Sequence, residues 1–199
     1  MFVSYDLRAG GGFSACRGAE HIRLGAGLHA AVDPGQGLVS ARRGRGLDLR
    51  FSRVTAQAAW MELGLKLGGA GQGRSDRAWR DSSQFYCRLR LALQADSQAG
   101  SQADPRVDSQ VGVGADSQRV SQGEVPPARL ALRLHLREGF EDIFAPDPLP
   151  LSREFNWVRA EIHPPVWLLS QAQAVDLHLF LPPRDGALQV SDLAVTAVS

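Results

Sequence analysis

The sequence predicts an all-β protein, an antiparallel β-sandwich or jelly roll with one long disordered insertion. The clearest observation is the stretch 129–137, in which leucine fills positions 130, 132, 134 and 136 and arginine, alanine or histidine fills the others. Side chains on a strand alternate between two faces, so this segment places its leucines on one side of a half-buried strand. Turn residues separate further runs of this kind, and no helix long enough to connect parallel strands is evident. These patterns favour two packed antiparallel sheets.

The first half of the chain contains a series of predicted strands of uneven regularity. In 85–93, phenylalanine, cysteine and leucine take the odd positions, and tyrosine, arginine or alanine take the even ones. Asp33-Pro34-Gly35 predicts a turn, because proline fixes φ and glycine tolerates a positive φ. The predicted strands are 2–7, one or two strands within 21–32, 38–41, 47–54, 60–67 and 85–93.

Residues 94–127 have a different composition, consisting mainly of glutamine, alanine, aspartate, serine, glycine and valine. Ser-Gln dipeptides begin at positions 97, 101, 109, 117 and 121, with spacings of four or eight residues. A segment of this kind buries too little apolar surface to offset the entropy lost on ordering. We therefore expect a low-complexity, disordered Ser-Gln repeat inserted into a single β-sandwich domain that spans 1–199.

The last third of the chain returns to alternation. The proline-rich, acidic stretch 139–151 is predicted to be a loop, and 167–174 one short helical turn. The final strand is expected to be broken or bulged near Ser191 and Asp192. The predicted strands are 129–137, 155–162, 175–181 and 188–198.

Composition and charge argue against several classes of protein. Hydrophobic residues make up 44% and charged residues 22% of the chain, which is typical of globular proteins. No apolar run approaches the roughly 18–20 residues of a membrane-spanning helix. A net charge of +1 provides no overall field to attract nucleic acid. The first six residues lack the features of a secretory signal, so we expect a cytoplasmic location by default.

The side chains opposite the leucines form the candidate binding face. If 85–93 and 129–137 pair as a long-looped hairpin, the arginines of both segments share one face, together with aromatic residues of other strands. Arginine forks grip carboxylates, sulfates and hydroxyls, and exposed aromatic rings can stack on sugars. The candidate ligand-binding residues are Trp60, Tyr86, Arg88, Arg90, Arg133, His135, Arg137, Trp157 and Arg159.

The same face has two plainer interpretations. Glu62, Glu161 or Asp176 from neighbouring strands could neutralise the arginines and turn the face into a solvated array of cross-strand ion pairs. The tryptophans could also be covered by packing, or the face could contact another subunit. The abundance of arginine has a plain explanation as well, since a GC-rich genome favours it over lysine, of which Lys66 is the only example.

No catalytic motif is recognisable. The chain lacks the ending of a phosphate-binding loop and the Gly-x-Ser-x-Gly elbow of hydrolases. The five histidines show no zinc spacing, and His135 and His178 fall on the exposed phases of their strands. Cys16 and Cys87 could pair, although Cys87 lies on an apolar phase, as a buried thiol would.

We expect no cofactor and no metal, with a structural calcium ion as the alternative. Calcium prefers carboxylate and carbonyl oxygens, and acidic residues crowd two stretches of the chain. The carboxylates in these stretches are Glu141, Asp142, Asp147, Asp185 and Asp192.

Two closing segments resemble the later strands of galactose-binding-like, carbohydrate-binding-type jelly rolls. They are Phe-Asn-Trp-Val-Arg-Ala-Glu at 155–161 and Leu-Gln-Val-Ser-Asp-Leu-Ala-Val at 188–195. The resemblance covers roughly the last two-thirds of the chain without the repeat, and it names a fold rather than a function. It implies binding residues on a concave face or in loops, and a structural calcium for which Asp192 matches the final-strand acid.

We expect a non-catalytic module that binds carbohydrate, including anionic polysaccharide, through its arginine- and tryptophan-bearing sheet face. A protein–protein assembly domain is the first alternative, and a glycan-active enzyme with two carboxylates in a cleft is the second. The expected partner is thus a carbohydrate or a protein, and not nucleic acid. The sequence leaves open the identity of the ligand, the strand order, the oligomeric state and the role of the Ser-Gln repeat.

Overall fold

The computed structural model describes residues 2–6, 16–25, 27–43, 46–69, 79–95 and 127–199. This part of the chain contains thirteen strands and one short helix. The helix is α1 (Val166–Gln171), and the strands are β1 (Phe2–Asp6), β2 (Cys16–Ala19), β3 (His21–Gly25), β4 (Leu28–Val32), β5 (Leu38–Arg43), β6 (Leu47–Ser52), β7 (Met61–Gly69), β8 (Gln84–Ala95), β9 (Arg129–His135), β10 (Phe140–Phe144), β11 (Asn156–Ile162), β12 (Ala174–Leu181) and β13 (Gly186–Val198).

The described strands form two antiparallel sheets, as the sequence predicts. The seven-stranded sheet has the order β11-β8-β13-β6-β5-β2, and β1 also pairs with β13. The six-stranded sheet has the order β10-β9-β12-β7-β4-β3. Strands that follow one another in the chain often lie in different sheets, as β8 and β9 do, so the chain alternates between the two layers of a sandwich.

The leucine-bearing faces of the two sheets meet in the core. In β9, Leu130, Leu132 and Leu134 are each 0% exposed, whereas Arg133 and His135 remain partly exposed on the other side. Burying one leucine contributes roughly 1.5–3 kcal/mol relative to leaving it in water. A slip of one residue would expose all three leucines, so the alternation selects a single register.

β13 is the longest strand, and it organises the seven-stranded sheet. It pairs with β8 along its whole length, while β6 and β1 pair with successive parts of its other edge. The register with β8 shifts between Val190 and Asp192, which leaves Ser191 as an extra, buried residue. This bulge confirms the predicted break and turns the side chain of Asp192 toward the outer face.

Two strands lie where the sequence predicted none. β10 falls inside the stretch 139–151 that was predicted to be a loop, and β2 precedes the strands predicted within 21–32. Both are edge strands, which pair on one side only. β10 buries none of its residues fully, so it lacks the apolar alternation that identifies inner strands.

The predicted helical turn is present as α1, which begins directly after Pro165 and buries Leu168 and Leu169. The predicted Ser-Gln repeat at 94–127 lies, apart from its first two residues and its last, outside the described residues. Among the described residues, no helix is long and apolar enough to cross a membrane.

Candidate functional site

The predicted hairpin between 85–93 and 129–137 does not form. β8 pairs with β11 and β13 in the seven-stranded sheet, whereas β9 pairs with β10 and β12 in the six-stranded sheet. The prediction that Arg88 and Arg133 share one face is therefore wrong, and the predicted basic surface is divided between two sheets. Alternation shows which side chains of a strand share a face, but it does not show which strand lies next to it.

Aromatic and basic side chains of β8 and β11 line an open groove on the outer face of the seven-stranded sheet. Trp157 is 46% exposed and Tyr86 is 40% exposed. Arg159 lies opposite Arg88 in the pairing of the two strands. The groove has a volume of about 580 Å³, and its lining includes Phe2, Tyr86, Arg88, Trp157, Arg159 and Glu161.

Small residues of β13 form the floor of the groove. Ala194 lies opposite Arg88, and Thr196 lies opposite Tyr86 on one side and Phe2 of β1 on the other. Phe2 is 68% exposed and lines the groove. Short side chains on the central strand between longer ones on its neighbours produce a trough that runs along the strand direction.

Guanidinium groups hold the exposed tryptophan in place. The guanidinium carbon of Arg88 lies 3.7 Å from the centroid of the Trp157 ring, and that of Arg90 lies 6.0 Å from it. Arg90 also lies 5.6 Å from the ring centroid of Phe155. Cation–π contacts at exposed sites are worth roughly 0.5–1 kcal/mol each. The indole is thus oriented by its neighbours while nearly half of it remains open to solvent.

Two carboxylates balance the arginines in the groove. The Glu161 carboxylate accepts a hydrogen bond of 3.1 Å from Gln84 Nε2, and His163 Nε2 lies 3.8 Å from it. The Asp192 carboxylate accepts a hydrogen bond of 2.7 Å from the adjacent Ser191 hydroxyl. With Arg88 and Arg159 in the same lining, the formal charges of the groove are close to balanced.

A second cavity of about 420 Å³ continues the groove past the edge strand β11. Its far wall is the proline-rich loop 146–150 together with His163, and it shares Arg159, Ala160 and Glu161 with the groove. The two cavities therefore adjoin at β11, and we call them together the recess. An extended ligand could contact both cavities, whereas a single small molecule would fill only one of them.

The outer face of the six-stranded sheet is occupied by its own ion pairs, and we call it the ion-pair face (Glu62, Arg133, His135, Asp142, Asp176 and His178). Arg133 donates two hydrogen bonds of 2.8 Å to the Asp142 carboxylate, and its Nη1 lies 3.8 Å from Glu62 Oε2. Burial opposes the charge on Arg133, but the hydrogen bond and charge of Asp142 raise its pKa. These cross-strand ion pairs are the plainer interpretation of the basic face that the sequence left open.

The other predicted residues of this sheet lie apart from the groove. His135 Nε2 lies 2.9 Å from Asp176 Oδ2. Arg137 is exposed beyond the end of β9, and Trp60 is half-buried just before β7. Trp60 lines a cavity of about 260 Å³ together with Phe144 and Phe180. The structure therefore brings together Tyr86, Arg88, Arg90, Trp157 and Arg159, and it places Trp60, Arg133, His135 and Arg137 elsewhere.

His178 is only 2% exposed, so the prediction of an exposed histidine is wrong. It does point to the outer face, where its Nδ1 lies 3.0 Å from Glu62 Oε2 and its ring stacks on Phe180. Burial opposes ionisation of Glu62, but hydrogen bonds from His178 and His29 lower its pKa to about 2. Alternation along β12 correctly predicted which face His178 points to, but it did not predict that neighbouring side chains cover this histidine.

The remaining tryptophans, the cysteines and two of the predicted calcium ligands lie in different surroundings. Trp79 is fully buried, whereas Trp167 on α1 is 65% exposed. Cys87 is a free, buried thiol whose pKa is raised to about 12 by burial, and the side chain of Cys16 lies outside the described residues. Of the proposed calcium ligands, Asp142 is bound by Arg133, and the Asp185 carboxylate accepts a hydrogen bond of 2.7 Å from the backbone of Val54.

This chain has the β-sandwich fold of several solved structures that are carbohydrate-binding modules. The second xylan-binding domain (CBM22-2) of Xyn10C from Paenibacillus barcinonensis superposes with a TM-score of 0.54 at 9% identity, covering 98% of this chain and 99% of that domain. The family 11 carbohydrate-binding module from Clostridium thermocellum, in complex with a β-1,3-1,4-mixed-linked tetrasaccharide, gives a TM-score of 0.48 at 8% identity, covering 92% and 98%. No protein-family model matches the sequence, and no curated protein matches it. The resemblance expected from the sequence is thus confirmed at the level of the fold.

Proposed function

We propose that this chain is a non-catalytic module that binds carbohydrate chains in the groove of the seven-stranded sheet. The observation that carries the proposal is Trp157, which is 46% exposed, held by the Arg88 guanidinium at 3.7 Å and set above an open groove. An exposed aromatic ring in a concave site is otherwise unfavourable to leave in water. The similarity of fold to a xylan-binding domain supports carbohydrate as the ligand class.

The chemistry of the groove suits a sugar. One side of a pyranose ring carries mostly C–H groups, which pack on the face of an aromatic side chain such as Trp157 or Tyr86. The hydroxyls at the edge of the ring need donors and acceptors, and the arginines and carboxylates of the groove supply both. Because the Arg88 guanidinium lies over an aromatic ring, which takes up none of its N–H groups as a conventional hydrogen-bond acceptor would, these groups can donate to a ligand.

The recess across β11 supports a polysaccharide rather than a monosaccharide as the ligand. The groove and the adjoining cavity share Arg159, Ala160 and Glu161, so successive sugar units could contact both. The near balance of formal charges makes a neutral chain the first expectation. An anionic polysaccharide remains a further prediction, because Arg88 and Arg159 could each pair with a carboxylate of the ligand.

Isothermal titration with soluble polysaccharides tests the proposal. We expect binding to neutral xylan or mixed-linked β-glucan, and a glucuronic-acid-bearing xylan tests the anionic prediction directly. Trp157→Ala should weaken binding by about 30-fold, the loss expected for removing an aromatic hot spot worth about 2 kcal/mol. Trp167→Ala is the matched control, since it removes a tryptophan from α1 that is more exposed than Trp157 and should leave binding unchanged.

The same titrations identify the outcomes that would overturn the proposal. Equal losses in the two tryptophan variants, or no heat of binding with any polysaccharide at millimolar sugar, would contradict it. A wild-type dimer in light scattering that Trp157→Ala converts to a monomer would instead identify the groove as an assembly surface. Release of reducing sugar, abolished by Glu161→Gln or Asp192→Asn, would indicate an enzyme.

A further inference from the structure

Three potential metal ligands meet on the ion-pair face, well away from the groove. His29 of β4 and His178 of β12 both lie opposite Gly64 of the central strand β7. Glu62 lies two residues before Gly64 and therefore projects from the same face of the sheet. Neighbouring strands in a sheet are only about 4.8 Å apart. Three adjacent strands thus deliver two imidazoles and one carboxylate to one point.

Two distances in this cluster match the separations between atoms that share a metal ion. His178 Nδ1 lies 3.0 Å from Glu62 Oε2, and His29 Nε2 lies 3.6 Å from Glu62 Oε1. The three ligand atoms all lie within 4.8 Å of one another. Zinc binds histidine nitrogen and carboxylate oxygen at about 2.0–2.2 Å, so ligand atoms around one ion stand roughly 3–3.6 Å apart. Small side-chain rotations would complete the arrangement.

Gly64 makes the arrangement possible. A Cβ atom at this position would overlap the imidazole ring of His29, which lies directly over the glycine. The missing side chain therefore lets His29 reach across β7 toward Glu62 and His178. The rings of His29 and His178 meet edge to face, with centroids 5.4 Å apart.

Burial of the cluster adds a second, independent observation. His178 is 2% exposed and Glu62 is 6% exposed. The second ring nitrogen of His178, Nε2, is buried and has no hydrogen-bond partner among the described residues. Buried polar atoms of this kind are uncommon and call for an explanation. Coordination through Nδ1, the atom that faces Glu62, would leave Nε2 unpaired as well, so the observation that bears on a metal is the burial of this carboxylate beside this imidazole.

The formal charges around the cluster balance, because the cations Arg23, Lys66 and Arg133 are matched by the anions Glu62, Asp142 and Asp176. Arg133 approaches Glu62 to 3.8 Å, but Asp142 holds this arginine by two hydrogen bonds of 2.8 Å and offsets its charge. On the other side, an open cavity of about 350 Å³ reaches His29 from solvent. Its lining includes His21, Arg23, Lys66 and Asp176. An ion would enter from this side, and water or a further ligand would complete its coordination.

We propose that His29, Glu62 and His178 bind one divalent transition-metal ion of the zinc type. Imidazole ligands select zinc, cobalt, nickel or copper over calcium and magnesium, which prefer oxygen donors. Two histidines and one glutamate are a set that leaves positions open for exogenous ligands. The proposal is independent of carbohydrate binding, because the groove lies on the other sheet.

Cobalt(II) is the probe, because its visible absorption reports the coordination sphere and zinc(II) should displace it. The protein must be the full chain without a histidine tag. We expect one equivalent of cobalt to bind and zinc to raise the melting temperature, since the ion binds the folded state only. Calcium and magnesium should do neither.

His29→Ala is the informative variant, because this side chain is partly exposed and its loss need not unfold the sheet. It should weaken cobalt and zinc binding by about 100-fold or more, given that even losses outside the direct ligands cost 10–100-fold. His163→Ala removes an exposed histidine just after the end of β11. This variant should bind cobalt and zinc as tightly as the wild type does. Absence of cobalt absorption in the wild type would overturn the proposal, as would equal losses in the two variants.

Discussion

The two outer faces of this sandwich are built from the same residue types but use them differently. In the groove, Arg88 stacks on Trp157, and both side chains keep contact with solvent. On the ion-pair face, Arg133 donates two hydrogen bonds to Asp142 and also lies close to Glu62. An arginine that lies over a ring can still donate all of its N–H groups to a ligand, whereas one that is hydrogen-bonded to a carboxylate has fewer donors left.

This difference shows that basic residues alone are a poor guide to a binding surface. Arg133 and His135, like Arg88, are basic residues in the strand phase opposite the leucines. In the structure, however, Arg133 and His135 each have a carboxylate partner within their own sheet. The exposed aromatic residues distinguish the two faces better. Burying an exposed ring against a ligand removes apolar surface from water, which favours binding. Substitutions on the ion-pair face should therefore mainly lower the stability of the fold, whereas substitutions in the groove should mainly weaken ligand binding.

The largest expected effect on stability comes from Glu62→Gln on the ion-pair face. This change leaves Arg133 and His178 without a buried anion between them, and breaking a buried pair typically costs about 3 kcal/mol. Thermal unfolding followed by circular dichroism measures the loss. The control is Glu161→Gln in the groove, where a carboxylate with 55% of its side chain exposed should change stability by less than about 0.5 kcal/mol. Similar losses in both variants would remove the contrast between the faces.

The pH dependence of stability sharpens the same comparison. The pKa of Glu62 is lowered to about 2, below its ordinary value of 4.5, so its ionised form stabilises the folded state. That contribution is complete above the ordinary pKa and is lost as the pH falls toward 2. The difference in melting temperature between the wild type and Glu62→Gln should therefore be constant near neutral pH and shrink below about pH 4.5. A difference that grows on acidification would contradict this assignment.

Gly64→Ala should destabilise the ion-pair face by about 2 kcal/mol, because the new methyl group overlaps the His29 ring and overpacking typically costs 1–3 kcal/mol. The matched change in the groove is Ala194→Leu, which adds bulk to a partly open floor. It should leave the melting temperature nearly unchanged and weaken polysaccharide binding. A stability loss as large as that of Gly64→Ala would show that the groove is packed rather than open.

Alternation predicted the inner strands and their buried faces, because burying leucine depends on residues two positions apart in the same strand. It even located the bulge beside Asp192, where the period changes. It did not predict the edge strand β10, whose apolar residues Phe140, Ile143 and Phe144 do not alternate and are not fully buried. It also could not pair the strands, because β8 and β9 carry nearly the same pattern and nothing in either one identifies its neighbour.

The sequence accordingly predicted the side chains of the groove but not the cluster on the ion-pair face. Alternation correctly predicted that Tyr86, Arg88 and Trp157, which lie on the paired strands β8 and β11, share an outer face. The cluster of His29, Glu62 and His178 was missed because its members come from β4, β7 and β12, far apart in sequence. The only local signal was Gly64, a glycine in the middle of an otherwise regular strand, which marks a close approach by another group.

The smallest expected effect concerns Cys87, which follows Tyr86 in β8 but faces the core. Burial raises the pKa of this thiol to about 12 and leaves it 2% exposed, so almost none of it is ionised or accessible at pH 8. In a Cys16→Ser background, we expect no reaction of Cys87 with a thiol reagent until the protein is unfolded. Rapid labelling of the native protein would mean that the groove opens into the core. The groove would then be a mobile part of the sandwich, and Trp157 would lose its status as a rigid, exposed anchor.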